Sequence, residues 1–287
     1  MNIAFLGLGV MGYPMAGHLL LDGFDVNVYN RNSIKAIDWL KDYPNGHRAE
    51  TIPLAIKEAD IIITCIREDE DLREIAYGDS GILNNAKTGA TWVDHTTASA
   101  SVARELSIAC KERAMHFIDA PVSGGQVGAE TGNLTVMIGG DIDVFDKIKP
   151  IIETYAKQVT YIGSSGSGQL TKMVNQICLA GLIQGLSEAI NFASTAGLDC
   201  DTVISAISKG AAQSWQMENR AKTMAQNEFD FGFAVDLMRK DLNICLREAN
   251  KIGASLPVTA LVNQFYAELQ TLGHGKLDTS SLIKRLK

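Results

Sequence analysis

An apolar run, Asn2–Leu6, leads straight into Gly7-Leu8-Gly9-Val10-Met11-Gly12, and a helical pattern over Met11–Leu21 follows at once. This order leaves the chain few options. A strand that turns through glycine into a helix must lay that helix back on a sheet, so further strands have to stand beside the first. Gly7 permits the tight turn, Gly9 lets the backbone approach a ligand, and Gly12 allows close packing of helix on strand. The N–H groups and the dipole at the helix start favour an anion there.

The spacing alone is a weak signal. Its place between a strand and the opening of a helix is what a dinucleotide fingerprint requires. Gly7, Leu8, Gly9, Val10, Met11 and Gly12 are therefore candidate cofactor-binding residues. The rest of the first half repeats the theme. Asp25–Tyr29, Asp60–Ile66, Thr91–Asp94, His116–Asp119, Leu134–Ile138 and Val159–Ile162 read as strands, with helical segments such as Ser33–Lys41 between them. That alternation predicts a mostly parallel sheet.

The pattern changes near Gly163. Gln169–Ala196 is one long helical stretch, and no convincing strand follows it. Asp199 and Asp201 can cap the next helix, which Gly210 ends, and Pro257 suits the first turn of a late one. We expect an α/β Rossmann-like domain over residues 1–163 and an all-α domain over 164–287. The Gly163–Gly168 segment between them reads as a tight strand-to-helix turn. A length of 287 residues suits two domains.

Composition narrows the function classes. Apolar residues make up 46% and charged residues 21%, as in a soluble globular protein. The net charge of −7 speaks against a basic nucleic-acid face. Met173–Ser187 carries no charge, but it contains Asn175, Gln176 and Gln184 and falls short of the roughly 20 apolar residues of a membrane span. We read it as a helix buried in a core or between subunits. Five cysteines without CxxC spacing suggest neither a disulfide framework nor a zinc site, and fit a reducing compartment. Cys65, Cys178 and Cys245 lie in apolar runs and read as small buried hydrophobes. No Lys or Arg precedes Arg31, so no targeting peptide is expected and the location should be cytoplasmic.

The end of the second strand bears on which dinucleotide binds. An NAD site places Asp or Glu there, on the ribose 2′-hydroxyl. This chain has Asn30, which would not repel a 2′-phosphate, followed by Arg31, Ser33 and Lys35. Arg31 can stack on adenine and pair with that phosphate. NADP(H) is expected to be preferred, with NAD(H) possible.

From Ser164 to Ser187 the only charged side chain is Lys172. Asn175 and Gln176 follow at spacings that share its helix face. Two readings stand on the residues alone. Either a desolvated lysine exchanges protons beside one or two amides, or its stem packs while its head snorkels to water. A second segment, Asp119-Ala120-Pro121-Val122-Ser123-Gly124-Gly125, follows a strand. Ser123 and the N–H groups of Gly124 and Gly125 could cradle an anion, or form a plain turn. His95, at a strand end, reads as packing or cofactor-adjacent rather than catalytic. In Phe231–Leu242, Lys240 and Asp241 read by spacing as a surface ion pair.

Together these segments resemble the β-hydroxyacid dehydrogenase family, in order and over nearly the whole chain. They are GLGVMG (7–12), DHTTAS (94–99), DAPVSGG (119–125), GAETGNLTVMIGG (128–140), GSGQLTKMVNQ (166–176) and KDL (240–242). The resemblance implies a C-terminal domain like that of 6-phosphogluconate dehydrogenase. It implies reversible hydride transfer between the nicotinamide and a short 3-hydroxy acid or its semialdehyde, with Lys172 as general acid/base and no metal. It places Ser123, Gly124 and Gly125 on the substrate carboxylate, and Asn175 or Gln176 on the substrate. It places Cys65, Ile66, Thr97, Phe233 and Lys240 around the cofactor. Ala100 stands where the family usually has proline. A homodimer or homotetramer is implied, packed partly through the long helix. Glyoxylate, succinic, tartronate and methylmalonate semialdehydes all satisfy the motifs, and residues around Gln126, Val127, Trp215 and Phe233 would choose among them. An imine reductase-like member or an inactive nucleotide-binding relative is the alternative; Lys172 speaks against the first, and the intact set Ser123, Lys172, Asn175 and Lys240 against the second.

Overall fold

A computed structural model describes residues 1–286. The chain divides into two compact units, Met1–Lys172 and Met173–Lys287. The first unit holds nine strands: β1 (Asn2–Leu6), β2 (Asp25–Tyr29), β3 (His47–Arg48), β4 (Ile61–Thr64), β5 (Thr91–Asp94), β6 (His116–Asp119), β7 (Val122–Ser123), β8 (Leu134–Gly139) and β9 (Ala156–Gly163). They form one sheet in the order β3-β2-β1-β4-β5-β6-β8-β7, with β9 also paired to β8. From β3 to β6 all pairs are parallel. This 3-2-1-4-5-6 order is the doubly wound Rossmann arrangement, whose chain direction switches between β1 and β4. Ligands of such sheets bind beyond the carboxyl ends of the strands at that point.

The sheet is parallel only in part. β8 runs antiparallel to β6 and to β7, then pairs parallel with β9. β3 and β7 have two residues each, too few for any alternation to be read from sequence. The central strand β4 is buried on both faces: Ile61, Ile62, Ile63 and Thr64 are all buried. That is why β4 reads as a continuous β-branched run rather than an alternating one. Two apolar cores cover the faces. One includes Phe5, Met15, Leu19, Val28 and Trp39. The other includes Leu6, Ile62, Trp92, Leu106 and Phe117.

The second unit is helical: the long helix Ser167–Thr195 runs into it, and Cys200–Ile207, Trp215–Ala225, Val235–Ile252, Pro257–Thr271 and a 3₁₀ segment, Thr279–Leu286, follow. Asp199 caps the Cys200 helix by accepting from the Thr202 amide, and Pro257 occupies the first turn of its helix. The long helix is apolar enough to cross a bilayer by length and composition alone. Its buried side instead holds two clusters. Ala180 and Ile183 pack with Val235, Met238, Leu242 and Tyr266, and Leu186 and Ile190 pack with Met217, Met224 and Phe229.

The cysteines correct one expectation. Cys245 is buried, but Cys65 is half-buried and Cys178 is exposed. Cys178 shares its outward stripe with Val174, Leu182 and Phe192, four and fourteen residues away along the same face. An apolar run tells that a helix has a buried side, not which of its residues lie on it.

Candidate active site

Gly7 closes the first turn with φ of +105°, a conformation that favours glycine, and a Cβ there would lie 2.3 Å from the Cys65 carbonyl oxygen. A Cβ at Gly12 would lie 2.0 Å from the Gly7 carbonyl oxygen, so the helix can sit on the turn only without it. A Cβ at Gly9 would meet no described atom within 4 Å. Gly9 thus faces open space, so packing within the protein does not require a glycine there. Met11 stands at the N-cap of the helix Gly12–Leu21, and among the described residues no side chain caps it. Open backbone, uncapped N–H groups and a bare Gly9 fit a pyrophosphate.

Asn30 braces this turn. Its Oδ1 accepts from the Leu8 amide at 2.8 Å, and its Nδ2 donates to the Asn32 carbonyl at 2.9 Å. Arg31 and Ser33 follow it, exposed, at the start of the Ser33–Asp42 helix. Leu8 is buried and Val10 exposed.

The carboxyl ends of β4 and β5 are laced together. The Ile66 amide donates to Thr96 Oγ1 at 3.1 Å, beside Cys65. Thr97 sits in a segment clamped by Gln169, whose Oε1 accepts from the Ala98 amide at 3.0 Å and whose Nε2 donates to the Thr96 carbonyl at 2.7 Å. Beneath lie Asp94 and His95. Asp94 accepts from Thr64 Oγ1 at 2.6 Å and from the Thr96 amide at 3.1 Å, yet burial pushes its carboxyl up to about 7. Burial pushes His95 down to about 4; its Nδ1 lies 2.6 Å from the Ala120 carbonyl and its Nε2 2.8 Å from the Tyr155 hydroxyl. Since the carbonyl can only accept, Nδ1 carries the proton and Nε2 accepts from Tyr155. His95 is a packing residue, fully committed.

The long helix starts on Asp119. This buried carboxylate accepts from the Gly166 amide at 2.7 Å and the Gln169 amide at 3.0 Å. Burial raises its pKa while those same bonds oppose the rise. Lys172 stands one turn after Gln169 and is 8% exposed. Nearby in sequence to Asp119, Gly124 and Gly125 take φ of +133° and +62° in succession and are exposed, with Ser123 half-buried before them. Both conformations lie where glycine is favoured.

In the second unit a chain of polar groups fixes the amides. Gln176 Nε2 donates to Asp241 Oδ2 at 2.7 Å, and Gln176 Oε1 accepts from Asn175 Nδ2 at 2.8 Å. A carboxylate only accepts, so Asp241 dictates the orientation of Gln176, and Gln176 that of Asn175. Gln176 is 1% exposed with both ends of its amide engaged, while Asn175 is half-buried. Lys240 Nζ lies 3.1 Å from Asp241 Oδ1; Asp241 is buried and Lys240 half-buried, so this is not the surface pair that spacing suggested. Phe233 is held by its backbone: its amide donates to Asp278 Oδ2 at 2.9 Å, and its carbonyl accepts from Thr279. Sequence reasoning missed Gln169, Asp278 and the cap made by Asp119. The available signals were a glutamine in an apolar helix and a strand-end aspartate ahead of a glycine-rich helix start.

Comparison with known proteins bears on the family and the fold. Residues 2–163 match the family model described as the NAD binding domain of 6-phosphogluconate dehydrogenase. Residues 166–286 match the model described as NAD-binding of NADP-dependent 3-hydroxyisobutyrate dehydrogenase. A Shewanella frigidimarina protein named only as an uncharacterized oxidoreductase is 56% identical over 286 residues, covering 100% of this chain and 98% of its own. The 2-hydroxy-3-oxopropionate reductase of Escherichia coli K12 is 34% identical, covering 100% and 97%. Among solved structures, Mycobacterium tuberculosis 3-hydroxyisobutyrate dehydrogenase with L-serine superposes with a TM-score of 0.89 at 30% identity, covering 100% and 99%.

Proposed function

Because the chain belongs to the β-hydroxyacid dehydrogenase family and is an NAD(P)-binding oxidoreductase, we propose that it interconverts a short 3-hydroxy acid and its semialdehyde with a preference for NADP(H). The dinucleotide, when bound, supplies or accepts the hydride. The residues of the chain bind, orient and move the proton. In the reducing direction Lys172 gives a proton from Nζ to the carbonyl oxygen as negative charge gathers on it. In the oxidising direction Nζ takes the hydroxyl proton.

The observation that carries this reading is the burial of Lys172 at 8% exposure on an otherwise uncharged stretch of helix. An ammonium held there can pass a proton to a substrate oxygen, and its amine form can take one back. Ser123 with the Gly124 and Gly125 amides takes the substrate carboxylate, and Asn175 takes the reacting end. Gln176 supports Asn175, since its own amide is spent on Asp241 and Asn175. Gly7–Gly12 takes the pyrophosphate. Arg31 and Ser33 take the ribose 2′-phosphate, and Asn30 holds the turn they border. Cys65, Ile66, Thr97, Phe233 and Lys240 serve the nicotinamide half. The outward stripe of Val174, Leu182 and Phe192, at 61%, 38% and 72% exposure, supports a homodimer or homotetramer. Five free thiols suit the cytoplasm.

The test is NADPH absorbance with a panel of glyoxylate and succinic, tartronate and methylmalonate semialdehydes, repeated with NADH. Turnover of at least one member, faster with NADPH, is expected. No turnover of any, or a clear preference for NADH, would overturn the corresponding part of the proposal.

A further inference from the structure

In the first unit, Arg31 Nη1 lies 3.5 Å from Asp71 Oδ1; the arginine side chain is 80% exposed and the aspartate 22%. Arg31 follows the carboxyl end of β2, and Asp71 stands in the first turn of the Asp69–Tyr77 helix after β4. Those two strands flank β1, whose end carries the glycine turn. The residue at the NAD-selecting position, Asn30, has its Oδ1 and Nδ2 taken by Leu8 and Asn32. The carboxylate that meets the selecting arginine therefore comes from a different helix. Its neighbours do other things: Asp69 Oδ1 accepts from the Ser99 amide at 2.8 Å, and Glu70 is exposed.

We propose that Asp71 is a specificity-determining residue of the dinucleotide site, competing with a ribose 2′-phosphate for Arg31 and so limiting how strongly NADP(H) is favoured over NAD(H). The inference rests on the reading above that Arg31 meets the 2′-phosphate. A guanidinium has five N–H donors, so a single 3.5 Å contact leaves room for a phosphate beside Asp71. Two anions then share one cation. A competing effect runs the other way, because Asp71 could hold Arg31 ready. Magnitude decides between them. An exposed, single-contact pair holds a long side chain weakly, whereas a phosphate near −2 on the same guanidinium meets the Asp71 carboxylate as a second, like-charged partner, with the doubled charge making that repulsion the larger of two screened terms. Repulsion wins, so removing the charge strengthens binding of the 2′-phosphate.

The experiment is calorimetric titration of the full chain, without substrate or turnover, using adenosine 2′,5′-bisphosphate and adenosine 5′-monophosphate as probes. Wild type, Asp71→Asn, Asp71→Ser, Arg31→Ala and the Asp71→Asn/Arg31→Ala double variant are compared at low salt. Both Asp71 variants should bind the bisphosphate about three- to tenfold tighter, and the monophosphate within about twofold of wild type. The gain should vanish in the Arg31→Ala background and shrink in high salt. No gain, a loss, or an equal gain for both nucleotides would overturn the proposal. If Arg31→Ala weakens the bisphosphate selectively while the Asp71 variants change nothing, this inference alone falls. If Arg31→Ala leaves the selectivity unchanged, the assignment of the 2′-phosphate to Arg31 falls with it.

Discussion

Asp94 and His95 are adjacent, fully buried and shifted in opposite directions, which predicts a pH response that neither residue shows alone. The Asp94 carboxyl, near 3.8 when unfolded, is raised to about 7 in the fold. The folded chain therefore keeps a proton that the unfolded chain loses. The stability this gives is complete below 3.8 and is lost as pH rises through 7, about 4 kcal/mol in all. The His95 imidazole, near 6.5 unfolded, is lowered to about 4. Its stability is complete above 6.5 and is lost as pH falls through 4, about 3 kcal/mol. Between pH 4 and 6.5 the two slopes, each about 1.4 kcal/mol per pH unit, have opposite sign and cancel. Asp94→Asn keeps the acceptor for Thr64 and Thr96 but cannot ionise. Its own stability should climb by about 3 kcal/mol from pH 4 to 6.5, where the wild-type profile is flat, then level off. His95→Gln should show the reverse, falling as pH rises toward 7. Urea unfolding can be followed by Trp39 and Trp92, both buried in the first unit, with Trp215→Phe silencing the second unit. Parallel profiles for wild type and Asp94→Asn would mean that Asp94 is already ionised in the fold, and would refute the reasoning.

Two further predictions separate binding from folding. Gly9→Ala places its methyl in open space, so the melting temperature should stay near wild type while NADPH binding weakens at least about tenfold; Gly12→Ala, 2.0 Å from a carbonyl oxygen, should destabilise by about 1–3 kcal/mol or more. Thermal shift with and without NADPH distinguishes them, and equal effects of the two would contradict the assignment. Asp241→Ala strands the buried Gln176 amide and should cost about 2–3 kcal/mol, whereas Gln176→Leu in the same background should add less than it costs alone. Urea unfolding followed at Trp215 reads this cycle, and simple additivity would show that the two residues are uncoupled.

Much of the first unit was legible because its signals are local. β1 and β2 begin and end where their apolar runs do, and the glycine turn sits where the spacing put it. What failed to show depends on distant partners. Asp119 opens the DAPVSGG segment, but its role as the cap of the long helix depends on amides 47 and 50 residues on. Asn175 and Gln176 could not be ranked from sequence because Asp241, 65 residues beyond Gln176, decides which way the amides point. Spacing made Lys240 and Asp241 a surface pair; packing of Met238 and Leu242 on their helix buries Asp241 and leaves Lys240 half-buried. Cys178 looked buried because apolarity along a helix does not reveal which side meets a neighbour.

The central claim is that Lys172 moves the proton. Its most direct test is Lys172→Ala, assayed with the fastest member of the aldehyde panel and, separately, by NADPH fluorescence titration. We expect kcat to fall by about 10²–10⁴-fold with NADPH affinity within about twofold of wild type. Turnover near the wild-type rate would contradict the account.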